Sequence, residues 1–219
     1  MTPYPPPPAV LSPFDLSGGH VALDLVNSLD HRYGGEGPVD RLEGYGELLR
    51  FGEQTRLLDR ARARRLERSV DAAAGMRALR SARELREALA ATLYGRIDGR
   101  APPANALATL ERHFQDAQRH RELRWQRAGA EGAAAPLEWQ WGRAQGEAEL
   151  PVWMLARAAE ELLTSRGVER VRACDVPTCR WLFLDTSKNH SRRWCNMKVC
   201  GNRMKARRFQ ERRSGHSEH

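Results

Sequence analysis

The chain's only four cysteines fall as two equal pairs, Cys174-Asp-Val-Pro-Thr-Cys179 and Cys195-Asn-Met-Lys-Val-Cys200, separated by fifteen residues. Each C-x4-C loop can turn two thiolates toward one point, and four thiolates at tetrahedral corners are a common shell for structural zinc. Pro177 inside the first loop and Gly201 directly after the last cysteine suit tight turns. The competing readings are two disulfides in a secreted domain, or four unrelated buried thiols. The chain shows no secretory signal and its cysteines pair locally, which favours a reduced, metal-bound set. One Zn2+ per chain is expected, on Cys174, Cys179, Cys195 and Cys200.

A second chemistry follows from where charge sits. The net charge is +8, yet residues 166–213 carry fourteen basic and four acidic side chains, a local +10, while residues 1–165 come to −1. Such asymmetry suggests a polyanion at one end of the molecule, either nucleic acid or an anionic membrane surface, the alternative being a merely soluble basic tail. On a helix starting at Cys200, about 100° per residue places Lys205, Arg208 and Arg212 on one arc away from the metal. Arg192, Arg193 and Arg203 extend that basic stripe. Arg203 has two readings: a guanidinium can address a phosphate or a guanine edge, or it can brace the knuckle together with Asn202.

A third cluster lies near the other end. From His20 to His31 the residues repeat at helical spacing, and Asp24, Asn27 and His31 fall on one face that could line a polar ligand pocket. No Gly-rich phosphate loop, G-x-S-x-G elbow or H-E-x-x-H pair occurs, so no catalytic residue is assigned and the chain is not expected to be an enzyme.

The run from Cys179 to Arg203 resembles the CGNR zinc finger, named for the tetrad Cys200, Gly201, Asn202 and Arg203. That finger usually follows an ABATE domain, in a family of stress-induced transcription regulators, and Gly19-His-Val-Ala-Leu-Asp-Leu-Val-Asn27 resembles the opening motif of that domain. The resemblance implies a bacterial DNA-binding regulator.

The elements that must position these groups are mainly helical. Helices are predicted over 40–51, opened by Asp40-x-x-Glu43 as a capping box, and over 59–69. A long helix over 71–97 is predicted with Met76, Leu79, Leu85, Leu89 and Leu93 inward, and another follows Pro102 and Pro103 with Leu107, Leu110 and Phe114 inward. Alternation over 122–127 and 137–142, around the Gly- and Ala-rich stretch 128–136, predicts a β-hairpin with Leu123, Trp125, Leu137, Trp139 and Trp141 on its buried face. A last helix over 149–166 ends before Gly167, and a short strand over 168–173 delivers the chain to Cys174.

The expected fold is mainly α: a disordered leader over 1–12, a helical ABATE-like domain with a small β-hairpin over 13–167, a treble-clef-like four-cysteine finger over 168–213, and a disordered tail over 214–219. Trp181, Phe183 and Trp194 are expected to form the finger's apolar core. No apolar run is long enough to cross a bilayer, and a cytoplasmic, nucleoid-associated protein is expected. The expected function is a DNA-binding transcription regulator whose helical domain senses a small-molecule effector or mediates homodimerisation. The alternatives are an RNA-binding or ribosome-associated zinc protein, and an enzyme with a small-molecule pocket in the helical domain.

Overall fold

Asp71 accepts a hydrogen bond from the Ala74 N–H and caps the longest helix of the protein, Ala72–Ile97. The structure is a computed structural model that describes residues 14–35, 37–125 and 137–207. The expected leader and tail, the stretch 128–136, Arg208 and Arg212 lie outside the described residues. In chain order the α-helices before the cysteine pairs are α1 (Val21–Asn27), α2 (Tyr45–Gln54), α3 (Arg60–Ser69), α4 (Ala72–Ile97), α5 (Ala104–Arg119) and α6 (Leu150–Thr164). Among the described residues three antiparallel pairs accompany them: β1 (Leu29–Asp30) with β2 (Val39–Asp40), β3 (Glu122–Trp125) with β4 (Leu137–Gln140), and β5 (Val171–Ala173) with β6 (Leu182–Leu184).

The fold is mainly helical, as the apolar periodicity predicts. Helices α4, α5 and α6 pack on one another, and α1 lies against α4 and α6. Leu79, Leu85, Leu89 and Leu93 supply the α4 face of the core, but Met76 is exposed. Leu110 is buried on α5, whereas Leu107 is 47% exposed.

Two local expectations fail for the same reason, the capture of short segments by strand pairing. Asp40 does not open a helix; it pairs with Leu29 across β1–β2, and its carboxylate receives two hydrogen bonds from the buried Arg86, at 2.6 and 2.9 Å. Helix α2 begins only after Gly44. Likewise α1 stops at Asn27: the Ser28 hydroxyl bonds back to the Leu25 carbonyl, and Leu29 and Asp30 turn away into β1.

The predicted β3–β4 hairpin forms, in a register that pairs Leu123 with Trp139 and Trp125 with Leu137. Its apolar face is not buried. Leu123, Trp125, Leu137 and Trp139 are 51, 65, 57 and 46% exposed, because among the described residues no helix lies over that face. Only Trp141, just beyond β4, packs against the core, and Arg121 sits over Trp139 and Trp141.

Beyond the expected boundary at Gly167, β5 and β6 remain part of the helical core, through Val171 and Leu182. The hairpin loop between them contains the first cysteine pair. Strand β6 pairs with β5 along one edge, and α1 satisfies the other. The Asn27 amide donates to the Leu182 carbonyl at 2.8 Å and accepts from its N–H at 2.9 Å, while the Gly18 carbonyl accepts from Leu184 N–H at 2.8 Å. Asn27→Ala removes both Asn27 bonds and leaves two buried backbone groups of Leu182 unpaired. The expected cost is about 2–4 kcal/mol in urea unfolding.

Candidate metal centre and the adjoining polar cleft

The β5–β6 hairpin presents the first knuckle. Cys174 N–H bonds to the Trp181 carbonyl at 2.9 Å, closing the ladder, and Cys179 and Arg180 N–H groups both turn back onto the Val176 carbonyl at 2.9 and 3.0 Å. The second knuckle is carried by a helical turn. The Asn196 side chain accepts from Lys198 N–H and starts it, a wide π-type turn over Met197–Gly201 follows, and α-helix continues through 202–207. This helix begins before Cys200, earlier than the sequence predicts.

The four Sγ atoms lie within 4.8 Å of one another. Cys195 Sγ is 3.7 Å from both Cys179 Sγ and Cys200 Sγ. A disulfide requires about 2.05 Å, so these are four free thiols. A tetrahedron with metal–sulfur bonds of about 2.3 Å has edges of about 3.8 Å, which these spacings match. Buried neighbouring thiols also cannot all ionise without a cation among them. Hydrogen bonds from Cys179 and Cys195 hold Cys174 well below the usual thiol range, bonding to Cys174 pushes Cys179 and Cys195 up, and burial raises Cys200. Donor set and spacing together form a single zinc-binding site.

The loop into the second knuckle is built around a buried carboxylate. Asp185 accepts from Ser187 N–H at 2.9 Å, from the Ser187 hydroxyl at 2.6 Å and from Arg192 N–H at 3.1 Å; the Ser187 hydroxyl bond leads in holding the carboxyl below its ordinary range. Arg192, expected to meet phosphate, instead lies over the Phe183 ring. It donates to the carbonyls of Trp194, Cys195 and Ser17, so its planar fork ties the knuckle to the N-terminal segment. Phe183 is fully buried beside the cysteines, with Trp181 and Trp194 packed around it.

The other basic candidates differ. Arg193 is exposed and reaches Asp175 at 2.5 Å. Arg203 and Lys205 are exposed, and among the described residues Arg203 has no hydrogen-bond or ion-pair partner. Asn202 alone of that pair braces the turn, donating to the Lys198 carbonyl at 3.0 Å. Arg180, which no motif in the sequence marks, locks the first knuckle to α4. Its guanidinium bonds to Asp98 at 2.8 Å, lies over Tyr33 and Tyr94, and its carbonyl accepts from the Tyr94 hydroxyl at 2.9 Å.

Asp24, Asn27 and His31 do not share a helical face. Asp24 and Asn27 are buried at 6 and 4% exposure and line a cavity of about 270 Å3, together with Asp15, Asp30 and Trp181. His31 is past the helix, with φ of 53°, and lines a neighbouring cleft of about 190 Å3 with Arg203 and Cys179. Asp30 and Trp181 border both. The Asp24 carboxylate accepts from the Gly18 N–H at 2.8 Å, a contact that excludes any side chain at residue 18, since a Cβ there would meet that oxygen at 2.6 Å. Gly19 takes φ of +72°, and neutral His20, its pKa lowered by burial, accepts from Ala22 N–H to cap α1.

Burial pushes the Asp24 carboxyl up to about 7, opposed by the Gly18 N–H and reinforced by Asp15. The native state therefore keeps a proton that the unfolded chain releases near its ordinary value of 3.8. Stability from this group is full below about pH 4 and is lost as pH rises through about 7. Asp24→Asn keeps an acceptor for Gly18 without titrating. Between about pH 5 and about pH 8 its urea-melt stability should gain on the parent's by about 1–3 kcal/mol. For the metal, Cys195→Ser should abolish stoichiometric zinc in elemental analysis. In hydrogen exchange the amides of 196–204 should lose protection, while those of Leu182 and Leu184, held by the Asn27 side chain and the Gly18 carbonyl, should keep theirs.

Comparison with known families agrees with this geometry. A search of the curated proteins returns no match to the chain. The CGNR zinc finger matches residues 170–213. The ABATE family, described as "Putative stress-induced transcription regulator", matches residues 19–166, which is most of the chain. The protein belongs to the ABATE family and carries a C-terminal CGNR zinc finger.

Proposed function

We propose that the protein is a DNA-binding transcription regulator whose finger docks on duplex phosphates, rather than an enzyme. One observation carries this: residues 186–207, which include the second knuckle, contain seven Lys or Arg and no Asp or Glu. Lys198, Arg203 and Lys205 among them are exposed. A rigid, zinc-held surface of one sign meets a polyanion without ordering cost and releases its condensed counterions. Arg203 stands free to contact a phosphate or a base edge, the bracing part falling to Asn202. Asp24 and Asn27 spend their polar atoms on Gly18 and Leu182, which suits transmission between helices and finger better than catalysis. No helix among the described residues is long and apolar enough to cross a membrane.

The test is the salt dependence of binding to genomic DNA fragments selected with the zinc-loaded protein. Replacing Lys198, Arg203 and Lys205 together with Ala should flatten the log–log slope by about 3, at about 0.9 per phosphate contact. Binding unchanged at every salt concentration would exclude this surface. Competition with structured RNA separates a ribosome-associated role, which would show the stronger competitor to be RNA.

A further inference from the structure

A groove of about 1100 Å3 runs between α5 and the C-terminal parts of α4 and α6, walled at one end by residues 99–102. Its floor is apolar, formed by Leu107, Leu110, Phe114, Leu163 and Val168. The volume is that of a small-molecule site and far exceeds an ordinary packing void. Leu107 leaves 47% of its surface in water there, whereas Leu110, the other leucine of the same helix, is buried.

The polar groups at the rim are unequal. Glu111 accepts from the Gln115 side chain at 3.2 Å, and Glu160 is held by Arg157 at 3.4 Å. Arg96 and Arg119 also line the groove, and among the described residues neither guanidinium has a hydrogen-bond or ion-pair partner. The buried Thr92 hydroxyl on its wall likewise has no partner. An apolar floor, two unpaired guanidiniums on a rim of mixed charge and an orphaned hydroxyl are complementary to one chemical class.

We propose that this groove binds an organic acid with an apolar body, its carboxylate met by Arg96 or Arg119 and its body laid on Leu107, Leu110 and Phe114. The site has a route to the finger. Asp98, which precedes the wall loop, is shared between Arg100 of the groove at 2.9 Å and Arg180 beside Cys179 at 2.8 Å. A ligand that shifts the loop acts directly on the ion pair anchoring the first knuckle. This deepens the sensing half of the proposed regulator, and it is measured without DNA, so the two readings can fail separately.

The experiment is calorimetric titration of the zinc-loaded full chain with decanoate and with 2-naphthoate, each below its aggregation limit. At least one should bind saturably at one per chain, and its uncharged alcohol counterpart at least tenfold more weakly. The double variant Arg96→Gln, Arg119→Gln, altered only at exposed positions, should keep the parent's melting temperature and lose at least tenfold in affinity; Leu107→Asp should lose as much. Absence of saturable binding by both acids, equal binding by the alcohol, or undiminished binding by the double variant would each overturn the proposal.

Discussion

The structure depends on how one three-residue strand is completed. An isolated two-stranded hairpin is marginal in water, and β5–β6 has only three residues in each strand. What fixes it is the Asn27 carboxamide, which offers a donor and an acceptor at the spacing of a neighbouring strand and satisfies Leu182 on its outer edge. The Gly18 carbonyl continues that false strand to Leu184, and Asp24 positions Gly18 in turn. The motif at the start of the helical part is thus the edge of the zinc hairpin.

From this follows a division of labour around the metal. The first knuckle grows out of a hairpin buried among helices and is anchored again by Arg180 on Asp98 and Tyr94. The second hangs on the loop organised by Asp185 and on Arg192, whose donors hold carbonyls from both ends of the chain. Zinc closes the gap between a knuckle that the helices already hold and one that they do not. The freely exposed cations lie on the second, where contact with a polyanion would be coupled most directly to metal occupancy.

The sequence carried the zinc ligands almost completely, because four thiols in two equal loops have few other uses. Long helices were equally plain: α4 and α5 present apolar stripes with Asp71 or Pro103 at their starts. Harder to see was anything set by partners distant in sequence. Helical spacing linked His31 to Asp24 and Asn27, but β1 pairing with β2 ends the helix first. Alternation placed Leu123, Trp125, Leu137 and Trp139 on one face without revealing that this face stays about half exposed, with Arg121 over Trp139. Arg192 looked like another phosphate ligand because charge is visible in a sequence, whereas the carbonyls that consume it are not. Asp185 and Arg180 were missed for the converse reason: each is an ordinary charged residue until its partners are in place.

The tie between Asn27 and Leu182 spans 155 positions of the chain, and that separation bears on biosynthesis. Closure over such a distance is slow compared with helix formation. As the polypeptide leaves the ribosome, α1 emerges early with its amide and the Gly18 carbonyl still facing water, and it waits until β6 has been made. The helical bundle can collapse meanwhile around α4, α5 and α6, but the hairpin has no edge to lean on before that collapse. The last metal ligand, Cys200, follows α1 to α6 in the chain, so the complete set of thiolates exists only after every one of those helices has been made.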